Sequence, residues 1–258
     1  AARTDPTTGE ILRSEYFGWS NDQGAFRDEL RKILDLPVEI ENIANAIAIA
    51  EMRFGAARLA REFSLVHVAT FVGASVVSEG RVVRGASGVC GLIGHIRSNK
   101  TELTCVCGRN DCLNLNATGF GLLSRFGKLD QPKFDHARLS FYAKSLLDVL
   151  SDKFAVSLVA DACKALAPAI DSMGKILGPE IIIISGHLGA EPSYFEGVQS
   201  ALEAEFGYGD NAACRLVRGT ISPERSAALL ALHAFCYSDR LDYDRLAELS
   251  ERRRTLHG

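Results

Sequence analysis

The sequence predicts an α/β fold, and three observations predict it. Residues 181–184 are four consecutive isoleucines, the pattern of a strand buried on both faces of a mostly parallel sheet. Residues 64–77 are rich in β-branched and apolar side chains and read as one long strand. Glu79-Gly80 turns that strand into another over 81–84. Around these strands lie segments whose apolar residues recur at helical spacing, the longest over 134–150 and 156–177.

In chain order, Asp5-Pro6-Thr7-Thr8-Gly9 is a turn, and Ile11-Leu12 a short strand. Tyr16-Phe17-Gly18-Trp19 reads as a loop. Its tryptophan, the sole one in the chain, is either a core plug or a ligand platform. Asp22 is placed to cap a helix carrying Phe26, Leu30, Ile33 and Leu34. Residues 36–40 alternate as a strand, and an alanine-rich helix opens near Ala44 and runs to Gly55. Thr118 is placed to cap a short helix reaching Phe126, and Pro168 to kink the helix over 156–177. The isoleucine strand ends in Gly186-His187-Leu188-Gly189, a tight strand-to-helix turn where α/β folds place ligands. A helix over 192–206, a strand over 216–221 and a helix opening at Ser222-Pro223-Glu224 follow. The small apolar residues 227–235 predict a tightly packed core helix. Residues 241–256 form an amphipathic helix whose Arg252-Arg253-Arg254 suits a helix C-terminus.

The chemistry is concentrated in residues 85–118. Here His95, Cys105, Cys107 and Cys112 follow one another, with glycine after the second cysteine. Three thiolates and an imidazole are the ligand set of a closed tetrahedral zinc site, which holds a loop and leaves no position for water activation. The alternative is a set of buried, reduced cysteines. Cys90, Cys163, Cys214 and Cys236 lie in apolar sequence and read as packing residues.

Composition bounds the function. A chain of 258 residues, 47% apolar, can bury a sizeable core in one or two lobes, and a net charge of −3 gives no electrostatic footprint for nucleic acid. Three clustered arginines release too few counterions to change that. No apolar run approaches a membrane span, no signal peptide is seen, and seven cysteines read as reduced and cytoplasmic.

Gly94-His95, Cys105-Val106-Cys107-Gly108 and Asp111-Cys112-Leu113 resemble the signature of the ROK family of repressors and sugar kinases. The resemblance implies that His95, Cys105, Cys107 and Cys112 hold a structural zinc beside a sugar pocket. It also implies a two-lobed actin-like ATPase (ribonuclease-H-like) fold. The smaller lobe would comprise 1–44 with 240–258, and the larger, zinc-containing lobe 45–239. Homodimers or tetramers would form through the larger lobe. The family's first phosphate loop and the helix-turn-helix of its regulators would lie upstream, in an N-terminal part this chain lacks.

Residues 37–46 are similar to the family's Asn-Asp-Ala-Asn junction, where the aspartate is the general base of phosphoryl transfer. Asn42 matches the sugar-binding asparagine, but Ile43 stands at the base position and has no lone pair. Ala69-Thr70-Phe71-Val72-Gly73 stands where the family's kinases carry a glycine-rich phosphate cradle. Phe71 blocks close backbone approach there, which favours a plain buried hairpin. Leu92 and Asn114 replace two sugar-binding glutamates. The expectation is therefore a chain without enzymatic activity: the effector-sensing region of a transcriptional regulator. It would bind a sugar or sugar derivative through Asn42, His95, Asn114 and Trp19, and DNA through the upstream module. An ATP-dependent sugar kinase is the alternative.

Overall fold

In a computed structural model of the chain, residues 3–5, 10–14, 19–20, 25–127, 146, 155–208 and 214–236 are described. The expected helix over 134–150, apart from Leu146, and that over 241–256 with its three arginines lie outside the described residues. So do Asp22, residues 6–9 and residues 16–18.

Two sheets organise the described chain. The smaller is antiparallel, with β1 (Arg3–Thr4), β2 (Ile11–Ser14) and β3 (Trp19–Ser20) in that order. Trp19 thus lies in a strand, opposite Ser14, rather than in the expected loop. Helix α1 (Ala25–Leu34) follows as predicted.

The larger sheet has the order β6-β5-β4-β7-β8. Its strands are β4 (Phe63–Val68), β5 (Val72–Ser78), β6 (Arg81–Val83), β7 (Ile181–Ser185) and β8 (Arg215–Arg218). β4 pairs antiparallel with β5 and parallel with β7, and β7 pairs parallel with β8, so the sheet is mixed. The four isoleucines alternate across it as a period of two requires. Ile182 and Ile184 enter one apolar cluster with Val66, Val68, Leu166, Ile170, Tyr194 and Val198. Ile181 and Ile183 enter another with Phe63, Leu65, Ala44, Ile47 and Ala48. Each fully buried isoleucine contributes about 1.5–3 kcal/mol of transfer free energy.

One face is covered by α2 (Ile43–Phe54), whose small alanines allow close approach, and by α7 (Pro223–Cys236) lying across α2. The other carries α5 (Val156–Leu177) and α6 (Pro192–Phe206), with the short helices α3 (Leu113–Asn116) and α4 (Gly119–Arg125) beside them. Helix α5 runs unbroken through Pro168 and ends at Gly178, which takes the left-handed conformation at φ 56°.

Four further expectations are corrected. Residues 64–77 are not one strand but a hairpin: residues 69–71 turn the chain, and Val68 pairs with Val72. The turn contains no glycine or proline. It is held instead by the start of α4, where the Gly119 and Phe120 amides donate to the Ala69 and Thr70 carbonyls at 2.9 and 3.0 Å. Residues 37–40 pair with no strand among the described residues, and Pro37 has no N–H to offer a ladder. The strand expected over 216–221 ends at Arg218, where Gly219 leaves the ladder. Helix α7 buries only Ser226 and Leu230, so it is a surface helix with one buried stripe rather than a core helix. Of the cysteines assigned to packing, Cys163 and Cys214 are buried, Cys90 is half-buried and Cys236 is exposed.

Candidate metal centre and ligand-binding surfaces

The chain leaves β6 and winds through residues 84–112 with little regular structure. A 3-10 turn (Ile93–His95) and a bridge between Arg97 and Cys112 fix its two limbs side by side. That closure brings His95, Cys105, Cys107 and Cys112 together, with one donor atom of each within 4.8 Å of all the others. His95 Nδ1 lies 3.6 Å from Cys105 Sγ, and Cys107 Sγ lies 3.4 Å from Cys112 Sγ. Zinc bonds of about 2.0–2.3 Å in a tetrahedron require donor separations of about 3.6–3.8 Å, so the four side chains fit a single cation with small adjustments.

Burial pushes the Cys105 thiol up to about 12 and raises that of Cys112, a cost to both thiolates that a bound cation would offset. Cys107 is exposed. Desolvation works against its thiolate, but the Arg109 amide and the side chains of Cys112, Cys105 and Arg109 outweigh it and hold the thiol low. Arg109 was not singled out from sequence. A cation between the second and third cysteines is the signal that would have found it.

The knuckle is pinned to the β4–β5 hairpin by buried polar contacts. Asn114 is 1% exposed, and its Oδ1 accepts the Val72 amide at 2.9 Å. Thr118 donates its hydroxyl to the Asn114 carbonyl at 2.6 Å, so it braces α3 instead of capping α4 with its side chain. Residue 94 must be glycine, because a Cβ there would lie 2.5 Å from Asn114 Oδ1 and 2.6 Å from the Val72 carbonyl. Phe71 stacks on Phe120 with ring centroids 5.6 Å apart, filling the turn with hydrocarbon.

At the start of α2, Asn42 is the N-cap, and its Oδ1 accepts the Ala44 amide at 2.9 Å. Ile43 follows at the first helical position and is 37% exposed. The neighbouring Glu41 is engaged: it accepts from the Asn42 amide at 2.8 Å, Asn45 Nδ2 at 2.9 Å and Arg84 Nε at 3.0 Å. Trp19 opens β3 on the smaller sheet.

A recess lies at the C-terminal ends of β7 and β8. Its volume is about 340 Å³, and Ser185, Gly186, His187, Glu191, Gly219 and Thr220 are among its lining. His187 is an exposed loop residue 3.4 Å from Glu224. Beneath the recess, His67 is buried with Nδ1 3.3 Å from Ser185 Oγ. Desolvation, then the charge of His187, lowers its pKa to about 4, so the ring is neutral at pH 7.

The sequence model of the ROK family matches residues 2–225. The chain belongs to the ROK family. It is 32% identical over 190 residues to a glucokinase of Halalkalibacterium halodurans, a match that covers 69% of this chain and 57% of that protein. It is 27% identical over 199 residues to a xylose repressor of Caldicellulosiruptor bescii, covering 73% and 48% of the two chains. Among solved structures, the ROK hexokinase from Thermus thermophilus superposes with a TM-score of 0.67 at 28% identity, covering 90% of this chain and 75% of that one. The chain therefore spans about half the length of the curated relatives it matches.

These findings place the α/β fold with its mixed sheet among ROK sugar kinases, and an actin-like ATPase fold is consistent with them. They also overturn the expectation of a chain without enzymatic activity, which was drawn from Ile43. Most of the relatives that match along two thirds or more of the chain carry sugar-kinase names, the glucokinase and the hexokinase among them, although the xylose repressor matches a similar share.

Proposed function

We propose that the chain forms the metal-bearing, sugar-binding part of an ATP-dependent sugar kinase of the ROK family. The observation that carries this reading is the 32% identity to a glucokinase across 69% of the chain. The order of the larger sheet, with a recess at the ends of β7 and β8, supports it by giving a nucleotide a place at strand C-termini. In this reading zinc is structural. Held by His95, Cys105, Cys107 and Cys112, it would supply no catalysis and would fix the knuckle that seats Asn114 and Gly94 against the hairpin. Asn42, His95, Asn114 and Trp19 are proposed as the sugar contacts. Residues 1–44 with 240–258 are proposed as the smaller lobe of a two-lobed molecule.

Phosphoryl transfer relies chiefly on positioning and electrostatics, and a general base adds about 10²–10⁴-fold. With Ile43 at the family's base position, turnover should be slow rather than nil. The test is a coupled ADP-release assay on the full-length protein with a panel of hexoses and N-acetylated amino sugars, comparing the wild type with Ile43→Asp. An aspartate at the first helical position suits the α2 N-terminus, so the fold should tolerate it. Turnover that rises at least 10-fold in Ile43→Asp supports the kinase reading. No turnover in either protein with any sugar would overturn it.

A second reading, a sugar-responsive regulator on the same scaffold, is favoured by Ile43 together with the similarity to a xylose repressor. Calorimetric binding of a sugar without turnover, and DNA affinity of the full-length protein that changes with that sugar, would select it.

A further inference from the structure

We propose that Arg109 is a positioning residue for the metal knuckle: its guanidinium holds Cys112 against the bound cation and offsets the charge of the ligand set. The inference rests on the reading of the cluster as a zinc site. Three thiolates, one neutral imidazole and a dication leave one net negative charge in a partly buried loop. An uncompensated charge there weakens metal binding, because the ligands repel one another and water cannot fully screen them.

Arg109 is placed to supply the compensation. It lies at the tip of the knuckle, where Gly108 takes φ +87° and the Arg109 carbonyl accepts the Cys105 amide at 2.8 Å. From there Nη2 donates to Cys112 Sγ at 3.2 Å and to the backbone carbonyl of His95. One planar cation therefore bridges two of the four ligand residues, one on each limb of the loop. Its Nε side is oriented by Asp111 Oδ1 at 3.6 Å, and Asp111 is buried. A charged N–H on the sulfur fixes the direction in which Cys112 presents its lone pairs and adds positive charge beside the ligand set. The planar head matters as well as the charge: Nη2 serves the sulfur and the carbonyl while Nε faces Asp111, and lysine, with a single nitrogen on a flexible stem, cannot keep all three. Arg97 gives an internal comparison, since it pairs with the same Asp111 at 2.9 Å through an exposed side chain and bridges no pair of ligands.

The experiment uses zinc-loaded full-length protein. Metal content is measured by elemental analysis, zinc release is followed by transfer to a chromogenic chelator, and thiol exposure by the rate of alkylation. Outer-shell partners of metal ligands are worth about 10–100-fold in metal affinity, so Arg109→Gln should release zinc at least 10-fold faster than the wild type. Arg109→Lys should fall between the two, and Arg97→Gln should match the wild type. If Arg109→Gln does not fold, Arg109→Lys carries the test, and release at the wild-type rate overturns the proposal. A wild type that retains zinc, with Arg109 variants that release it no faster, sinks the role of Arg109 alone. A wild type that retains no zinc sinks the zinc reading and this proposal with it.

Discussion

His67 ties the stability of the sheet to pH. It lies on β4, the strand between β5 and β7, with its ring buried near Ser185, His187 and Glu224, and its folded-state pKa is about 4 against 6.5 for an exposed histidine. The folded value is the lower one, so the unfolded chain takes up the proton first as pH falls. The contribution of neutral burial is fully present above about pH 6.5, is lost between 6.5 and about 4, and levels off below that. The whole interval corresponds to about 3 kcal/mol, with somewhat under half gone by pH 5.5 and about three quarters by pH 4.5. The perturbation is His67→Asn, which keeps a polar atom within reach of Ser185 and removes the titration. Urea unfolding of both proteins at pH 7.5, 6.5, 5.5 and 4.5 gives the difference in stability at each pH. That difference should shift by about 2–3 kcal/mol in favour of the variant between pH 7.5 and pH 4.5. Other carboxylates and histidines titrate in the same range, but they are common to both proteins and cancel. Parallel profiles for the two proteins would show that the buried imidazole is not displaced from its ordinary pKa, and the reasoning fails.

Two further perturbations address the joints of the fold. Glu51 is fully buried and accepts from the amides of Ala56, Thr220 and Ile221 at 2.6, 2.5 and 2.8 Å, and from the Thr220 hydroxyl at 2.9 Å. Glu51→Ala leaves three backbone donors without that partner and should cost at least about 3 kcal/mol in chemical denaturation, whereas a loss under 1 kcal/mol would mean the amides find water. Gly94→Ala drives a methyl group into Asn114 and Val72, so it should lower stability by about 1–3 kcal/mol and zinc occupancy with it. An unchanged melting temperature and metal content would show that the knuckle is not seated on the hairpin as described.

Parts of this structure were legible because one residue type admits one explanation. Four isoleucines in a row have no polar face to turn to solvent, and the strand they form is buried on both sides. The donor set at 95, 105, 107 and 112 was legible for a similar reason, since thiolate and imidazole chemistry at short spacing has few uses. The errors arose where the deciding interaction is distant in sequence. The 64–77 hairpin turns at Ala69-Thr70-Phe71, residues with no turn propensity, because helix α4, some 50 positions on, supplies the donors. Residues 36–40 alternate as a strand should, but a strand needs a neighbour, and alternation carries no information about whether one is present. Small apolar residues in α7 suggest a core helix, but alanine is equally at home on an exposed helix, and among its residues only Ser226 and Leu230 are buried, the latter against Ala46 and Ile49 of α2. His67 and Glu51 passed unremarked because a lone histidine in a strand and a lone glutamate in a helix are ordinary until burial makes them costly.

The expectation of a chain without enzymatic activity is overturned for a different reason, which bears on how a missing catalytic group should be weighed. By the resemblance, Ile43 stands where the family carries its base, and Glu41 nearby is already occupied by Arg84 and two N–H donors. Yet a general base is worth about 3–5 kcal/mol of a barrier that positioning and electrostatics lower by far more. The α2 N-terminus that carries Ile43 is intact, capped by Asn42 and packed through Ala44, Ile47 and Ala48 against the sheet. In the kinase reading proposed above, losing the base would subtract one contribution from phosphoryl transfer and leave the others in place. Similarity along some 190 residues reports on that scaffold, whereas residue 43 reports on a single term, and the two can be separated only by measuring turnover with residue 43 restored.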